Sequence, residues 1–182
     1  MSMKIDVKSL VFTAVYAALC CVATMIIIVP LPNGYVNAGD VLVLLAGWCL
    51  GPYFGGISAG VGCAIADLVS GYVIYAPVTF VVKFVVAILA FYIARLFKKI
   101  IKKDSLDFIS RAISAIIAQL FMVLGYFIYE SILYGLVGGS LALVGNTLQG
   151  TFCAIGGTLL ISVLYRIKYI RNVFPRLNSG EK

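Results

Sequence analysis

Four ionisable side chains, Asp40, Asp67, Lys83 and Glu130, lie inside stretches that are otherwise apolar. Placing a carboxylate or an ammonium ion at membrane depth is expensive, so such groups pair with one another or line a water-filled cavity. Asn146 and Gln149 are three residues apart, a spacing that puts both on one face of a helix. Asn37 shortly precedes Asp40, Tyr72 and Tyr75 follow Asp67, and Tyr126 stands four residues before Glu130. Together these residues offer hydrogen-bond donors and acceptors, one cation and several phenol rings. That inventory suits recognition of a small, polar, aromatic molecule.

It does not suit bond-breaking chemistry. The chain has no His, which removes the commonest general base and the usual zinc ligand. Cys20, Cys21, Cys49, Cys63 and Cys153 lie within or at the ends of hydrophobic segments with no CxxC spacing, and read as small packing residues. Asp40 and Asp67 could form an aspartyl pair, but Asn37-Ala38-Gly39-Asp40 matches membrane aspartyl protease signatures only loosely. There is no phosphate-binding loop, so ATP hydrolysis is not expected of this chain. Neither an enzyme nor a bound metal or cofactor is expected.

The elements that must position these groups follow from composition. Of 182 residues 63% are hydrophobic, and the mean hydropathy is +1.10. A soluble domain of this size cannot hide so much apolar surface, so most of it must face lipid. Hydrophobic runs and their breakers predict an all-α integral membrane protein, a single six-helix domain over 1–182. The spans are expected at about 9–29, 39–50, 53–70, 78–97, 108–134 and 141–165. The first run is too long for a signal-peptide core and reads as a retained helix. Pro30-Leu31-Pro32-Asn33-Gly34 breaks the chain after it, Gly51-Pro52 makes a tight turn, and Gly135 to Ser140 forms the last turn.

Thirteen of the fourteen Lys and Arg residues fall in three stretches: Lys4 and Lys8; Arg95, Lys98, Lys99, Lys102, Lys103 and Arg111; and Arg166, Lys168, Arg171, Arg176 and Lys182. In a six-span layout all three face one side, which the positive-inside rule makes the cytoplasm, together with both termini. The net charge of +7 is thereby explained without nucleic acid. The buried polar groups then fall in the outer half, as one cavity open to the outside.

Other readings stay open at this point. Lys83 could neutralise Asp67 or Glu130 in a structural ion pair, and Asp40 could cap the second span. Tyr72, Tyr75 and Tyr134 could belong to an interface belt. The small residues Gly55, Gly56, Ala59, Gly60, Cys63 and Ala64 form a stripe that lets helices approach closely. A stand-alone secondary transporter or channel, with Asp67, Lys83 and Glu130 as a proton or ion relay, is the alternative function.

The early run Phe12-Thr13-Ala14-Val15-Tyr16-Ala17-Ala18, the small size, the basic rim and the outward pocket resemble the substrate-binding S components of energy-coupling factor (ECF) vitamin transporters. The stretch from Val36-Asn37-Ala38-Gly39-Asp40 through Leu50-Gly51-Pro52 to Ala66-Asp67-Leu68-Val69-Ser70-Gly71-Tyr72 is similar to the branch for pyridoxine and hydroxymethylpyrimidine, loosely grouped with riboflavin S components. The resemblance implies a multi-pass protein of the bacterial plasma membrane that binds a vitamin or precursor from outside. It also implies docking through Ala14 and Ala18, with Ala17 beside them, on a transmembrane coupling subunit (EcfT) energised by two ATPase subunits (EcfA and EcfA').

Overall fold

The computed structural model describes residues 7–30, 35–101 and 107–174. Lys4, Lys102, Lys103, Arg176 and Lys182 of the basic stretches, and residues 31–34 of the first breaker, lie outside them. The architecture is helical, as a chain in lipid requires: a helix satisfies its backbone hydrogen bonds within the segment. In chain order the elements are α1 (Val7–Ile26), β1 (Ile28–Pro30), β2 (Tyr35–Asn37), α2 (Gly39–Leu50), α3 (Pro52–Val69), α4 (Ala76–Ile101), α5 (Asp107–Arg166) and α6 (Lys168–Val173). Of these, α1, α3, α4 and α5 are long and apolar enough to cross a membrane, while α2 is a shorter apolar helix.

The sixty residues of α5 are interrupted at Gly135, where φ is 74° and ψ is 173°. The helix therefore has two arms, 107–134 and 136–166. The turn expected over Gly135 to Ser140 is confined to its first residue. One glycine in the left-handed region is enough to redirect the chain, and helical geometry resumes at once. The arms then approach so closely that a side chain on Gly139 would meet the Phe127 carbonyl at 3.0 Å and collide with the Ser131 hydroxyl.

Helix α2 sits at the centre, packed against α1, α3, α4 and α5. Val43 through Leu50 are all buried, as expected of a helix that is apolar all round. Trp48 ties three helices together: its indole N–H lies 3.1 Å from the Ala90 carbonyl of α4 and 3.2 Å from the Ser114 hydroxyl of α5. The turn into α3 uses Gly51 at φ 83° and Pro52 in the first helical position. There proline loses no needed donor. The small-residue stripe of α3 serves three neighbours: Gly55 lies on the backbone of α2, Gly56 and Gly60 on Phe84 and Phe80 of α4, and Gly62 on the Ala17 carbonyl of α1.

A short antiparallel hairpin, with Val29 opposite Val36, closes one end of the helices. Sequence periodicity gave no sign of it, because three-residue strands are too short to show alternation. At the other end, α4 finishes with Lys98 and Lys99 and α5 begins with Asp107.

Candidate functional site

The hairpin end carries a partly open cleft; its empty space, open solvent at the mouth included, is about 400 Å³. At its base is an ion pair. Lys83 of α4 is 2% exposed and Asp40 of α2 is fully buried. The Lys83 ammonium lies 2.7 Å from Asp40 Oδ1 and 2.9 Å from Oδ2. The partner is thus Asp40 rather than Asp67 or Glu130. Because α2 lies in the middle of the fold, its first turn is buried beside α4, and Asp40 does more than cap a helix end. The Gln149 amide donates to Asp40 Oδ2 at 2.8 Å, and its oxygen accepts the Asn37 N–H at 2.7 Å. The Asn37 side-chain oxygen in turn accepts the Gly39 N–H at 2.8 Å, bracing the start of α2.

The pair is roofed by an aromatic ring. Lys83 Nζ is 5.2 Å from the centre of the Tyr126 ring, a cation–π distance, and the Tyr126 hydroxyl shares a hydrogen bond of 2.9 Å with Thr79. Thr79 precedes Lys83 by one helical turn, so one face of α4 supplies both.

The opposite wall is built on the end of α3. Gly71, at φ 85°, follows the helix. The Tyr72 N–H then returns to the Asp67 carbonyl at 2.8 Å, and the Gly71 N–H to the Leu68 carbonyl at 3.4 Å. This pairing is that of a Schellman motif. It fixes Tyr72 directly over Asp67. The Tyr35 hydroxyl, from β2, donates to Asp67 Oδ1, and the Tyr35 ring packs 4.6 Å from that of Tyr72. Contacts continue from Tyr72 to Tyr75 at 6.3 Å and from Tyr75 to Tyr129 at 5.7 Å, a fan of four phenols of which Tyr35, Tyr72 and Tyr75 line the cleft. The Tyr129 hydroxyl donates to the Ile74 carbonyl. Burial first, and the bond to Asp67 second, raise the Tyr35 phenol above its ordinary value. Tyr75 is raised by burial and then by its hydrogen bond with Tyr134. Both remain protonated donors near neutral pH.

Two carboxyl groups complete the lining. Asp67 is buried, and its Oδ2 accepts no hydrogen bond of ordinary geometry among the described residues, although the Thr79 hydroxyl interacts with the same carboxyl group. Glu130 is also buried, with no basic group in ion-pair range among the described residues.

Of the residues singled out from sequence, Asn37, Asp67, Tyr72, Tyr75, Lys83, Tyr126, Glu130 and Gln149 line the cleft. Asp40 lies behind it, holding Lys83 and Gln149. Asn146 is buried one turn before Gln149 but is not part of the lining. Thr24, Tyr35, Cys63 and Thr79 line the cleft without having been singled out. Thr79 carried a signal, its four-residue spacing from Lys83. Tyr35 carried its place beside a breaker. On α1, Ala14 and Ala18 are exposed, whereas Ala17 turns partly toward α3, where Gly62 meets its carbonyl.

Residues 4–166 match the family model described as "ECF-type riboflavin transporter, S component". The chain belongs to this family. Its members are substrate-binding subunits of vitamin transporters and not enzymes, in keeping with a cleft of hydrogen-bonding groups and rings set among membrane-crossing helices. The S-component chain is also 32% identical over 123 residues to a protein of Pyrococcus woesei described as an "uncharacterized protein in gap 3'region", an alignment covering 66% of this chain and 76% of that protein.

Proposed function

We propose that the chain binds a small heteroaromatic vitamin or precursor in the hairpin-end cleft and delivers it inward as the S component of an ATP-driven ECF transporter. Pyridoxine or hydroxymethylpyrimidine is the first reading of the ligand. The observation that carries it is the meeting of four phenol rings and two carboxyl groups above a neutralised Lys83–Asp40 pair. Rings supply apolar contact area for a planar ligand, and the carboxyl groups supply orientation. Riboflavin is the second reading, favoured by the family's description.

The direction of transport follows from charge. Lys98 and Lys99 sit at the far end of α4 from Lys83. Six crossings, with α2 and both arms of α5 counted, would leave the basic stretches and both termini in the cytoplasm and the cleft facing out. The energising partners in this reading are a transmembrane coupling subunit and two ATPase subunits in the plasma membrane. Ala14 and Ala18, exposed and small, suit a helix face that docks and releases.

Uptake of labelled pyridoxine, hydroxymethylpyrimidine and riboflavin, with and without the coupling and ATPase subunits, tests this. Uptake that needs the partners, and is abolished by Ala18→Leu while binding is retained, is the expected result. Uptake by the chain alone in liposomes, driven by a pH gradient, would replace it with a secondary transporter.

A further inference from the structure

Resting on the binding-subunit reading, we propose that the cleft selects an uncharged or cationic ligand that donates hydrogen bonds, rejects phosphorylated or carboxylated forms of it, and uses Asp67 as the deciding acceptor.

Lys83, the single cation lining the cleft among the described residues, has its ammonium held by both oxygens of Asp40. Gln149 donates to Asp40 and accepts from the Asn37 backbone, while the Asn37 side-chain oxygen is taken by Gly39. The Tyr35 hydroxyl points to Asp67, and the Tyr129 hydroxyl to Ile74. The charged donor and the Gln149, Tyr35 and Tyr129 donors are therefore turned toward the protein, leaving no free cation to meet an anion among the described residues of the cleft.

The capacity left over is of the opposite kind. Asp67 is 3% exposed and Glu130 5%, and Asp67 Oδ2 is a buried acceptor without a hydrogen bond of ordinary geometry among the described residues. A buried polar atom left unpaired has lost its water without compensation. A ligand N–H or O–H that reaches Oδ2 restores that loss, most strongly while the carboxyl group is ionised. Ring N–H groups, exocyclic amines and hydroxymethyl groups all qualify. A phosphate ester instead brings negative charge toward two carboxyl groups and a lysine already neutralised. Like-charge juxtaposition at a desolvated site is a strong source of discrimination.

The test is equilibrium titration of the purified full chain in detergent with pyridoxine, hydroxymethylpyrimidine and riboflavin, and with the phosphate ester of each. At least one alcohol is expected to bind, with its ester about 100-fold weaker. Asp67→Asn should weaken the alcohol by roughly 10-fold or more and narrow the gap to the ester. Glu130→Gln, on a different helix, should narrow the same gap, which keeps the proposal testable if Asp67→Asn fails to fold. An ester that binds within about threefold of its alcohol overturns charge selection and leaves the binding-subunit reading standing. An Asp67→Asn variant that folds and binds the alcohol unchanged also overturns the proposal. Failure of all six compounds to bind the unaltered chain rejects the proposed ligand reading of this cleft, and the inference with it.

Discussion

The two ends of the helices each hold a buried ion pair, and the pairs are surrounded very differently. At the hairpin end Lys83 meets Asp40 across 43 residues of sequence, beside a cleft with an unpartnered carboxylate oxygen. At the opposite end Arg111 meets Asp107 within one turn of α5, and Lys98 of α4 lies 3.5 Å from the same carboxylate. The Arg111 guanidinium packs over the Tyr165 ring at 4.6 Å, and Arg171 of α6 faces that ring at 5.4 Å. Phe174 then packs against Phe12 of α1 at 5.0 Å, tilted, and edge-on against Tyr16 at 6.1 Å. This second cluster joins helix ends to one another. Its polar groups face helices; those of the first face a space. The Ser110 hydroxyl at the second end is also buried without a hydrogen-bond partner among the described residues, but unlike Asp67 it does not line the cleft. The distinction between structural and ligand-directed charge therefore lies in whether the unpaired atom borders a space.

The comparison breaks most visibly at Lys83. Lys83→Met strands a fully buried carboxylate, and should destabilise the fold by about 3–5 kcal/mol, lowering the unfolding temperature in detergent by roughly 10 °C. The double change Asp40→Leu with Lys83→Met should recover much of that stability, because an apolar pair replaces an ionic one. Thermal unfolding of both variants reads this directly.

A smaller and sharper contrast comes from crossing the two ends. Asp67→Asn should cost about 1.5–3 kcal/mol of binding free energy, the size of a charge-assisted bond, with the unfolding temperature nearly unchanged. Arg111→Met should do the reverse, costing about 1–2 kcal/mol of stability through lost stacking and pairing while affinity stays constant. Calorimetric titration and thermal unfolding on the same two samples separate the effects. If Arg111→Met weakened binding as much as Asp67→Asn, the two ends would not be distinct in role.

The smallest effect belongs to the aromatic fan. Tyr72→Leu removes ring contacts with Tyr35 and Tyr75 and should weaken binding by about 0.5–1.5 kcal/mol, whereas Tyr72→Phe keeps the rings and should change little. Equal losses in the two variants would assign the effect to the hydroxyl and not to the ring.

Much of the hairpin end was legible in sequence because charges and amides inside apolar runs announce themselves. Gly51-Pro52 likewise marks the turn between α2 and α3, since the two residues have complementary backbone preferences. Which carboxylate Lys83 would choose was not legible. Spacing along one helix says nothing of how neighbouring helices are rotated, and the answer depended on α2 being central. Arg111 illustrates the same limit from the other side. Counted with the basic stretches, it is buried and paired with Asp107, because an arginine near a helix start can satisfy a first-turn carboxylate and pack on an aromatic ring. Thr24 reaches the cleft from a long apolar helix, where one hydroxyl carries no pattern. Cys63 reaches it from the small-residue stripe, whose pattern speaks of packing and not of a ligand.

The proposed place of the ligand is the hairpin-end cleft. Native mass spectrometry of the chain purified from cells grown with the candidate vitamins tests it most directly. One heteroaromatic molecule per chain is expected in the unaltered protein, lost in Asp67→Asn and kept in Arg111→Met. An adduct kept in Asp67→Asn and lost in Arg111→Met would contradict the account.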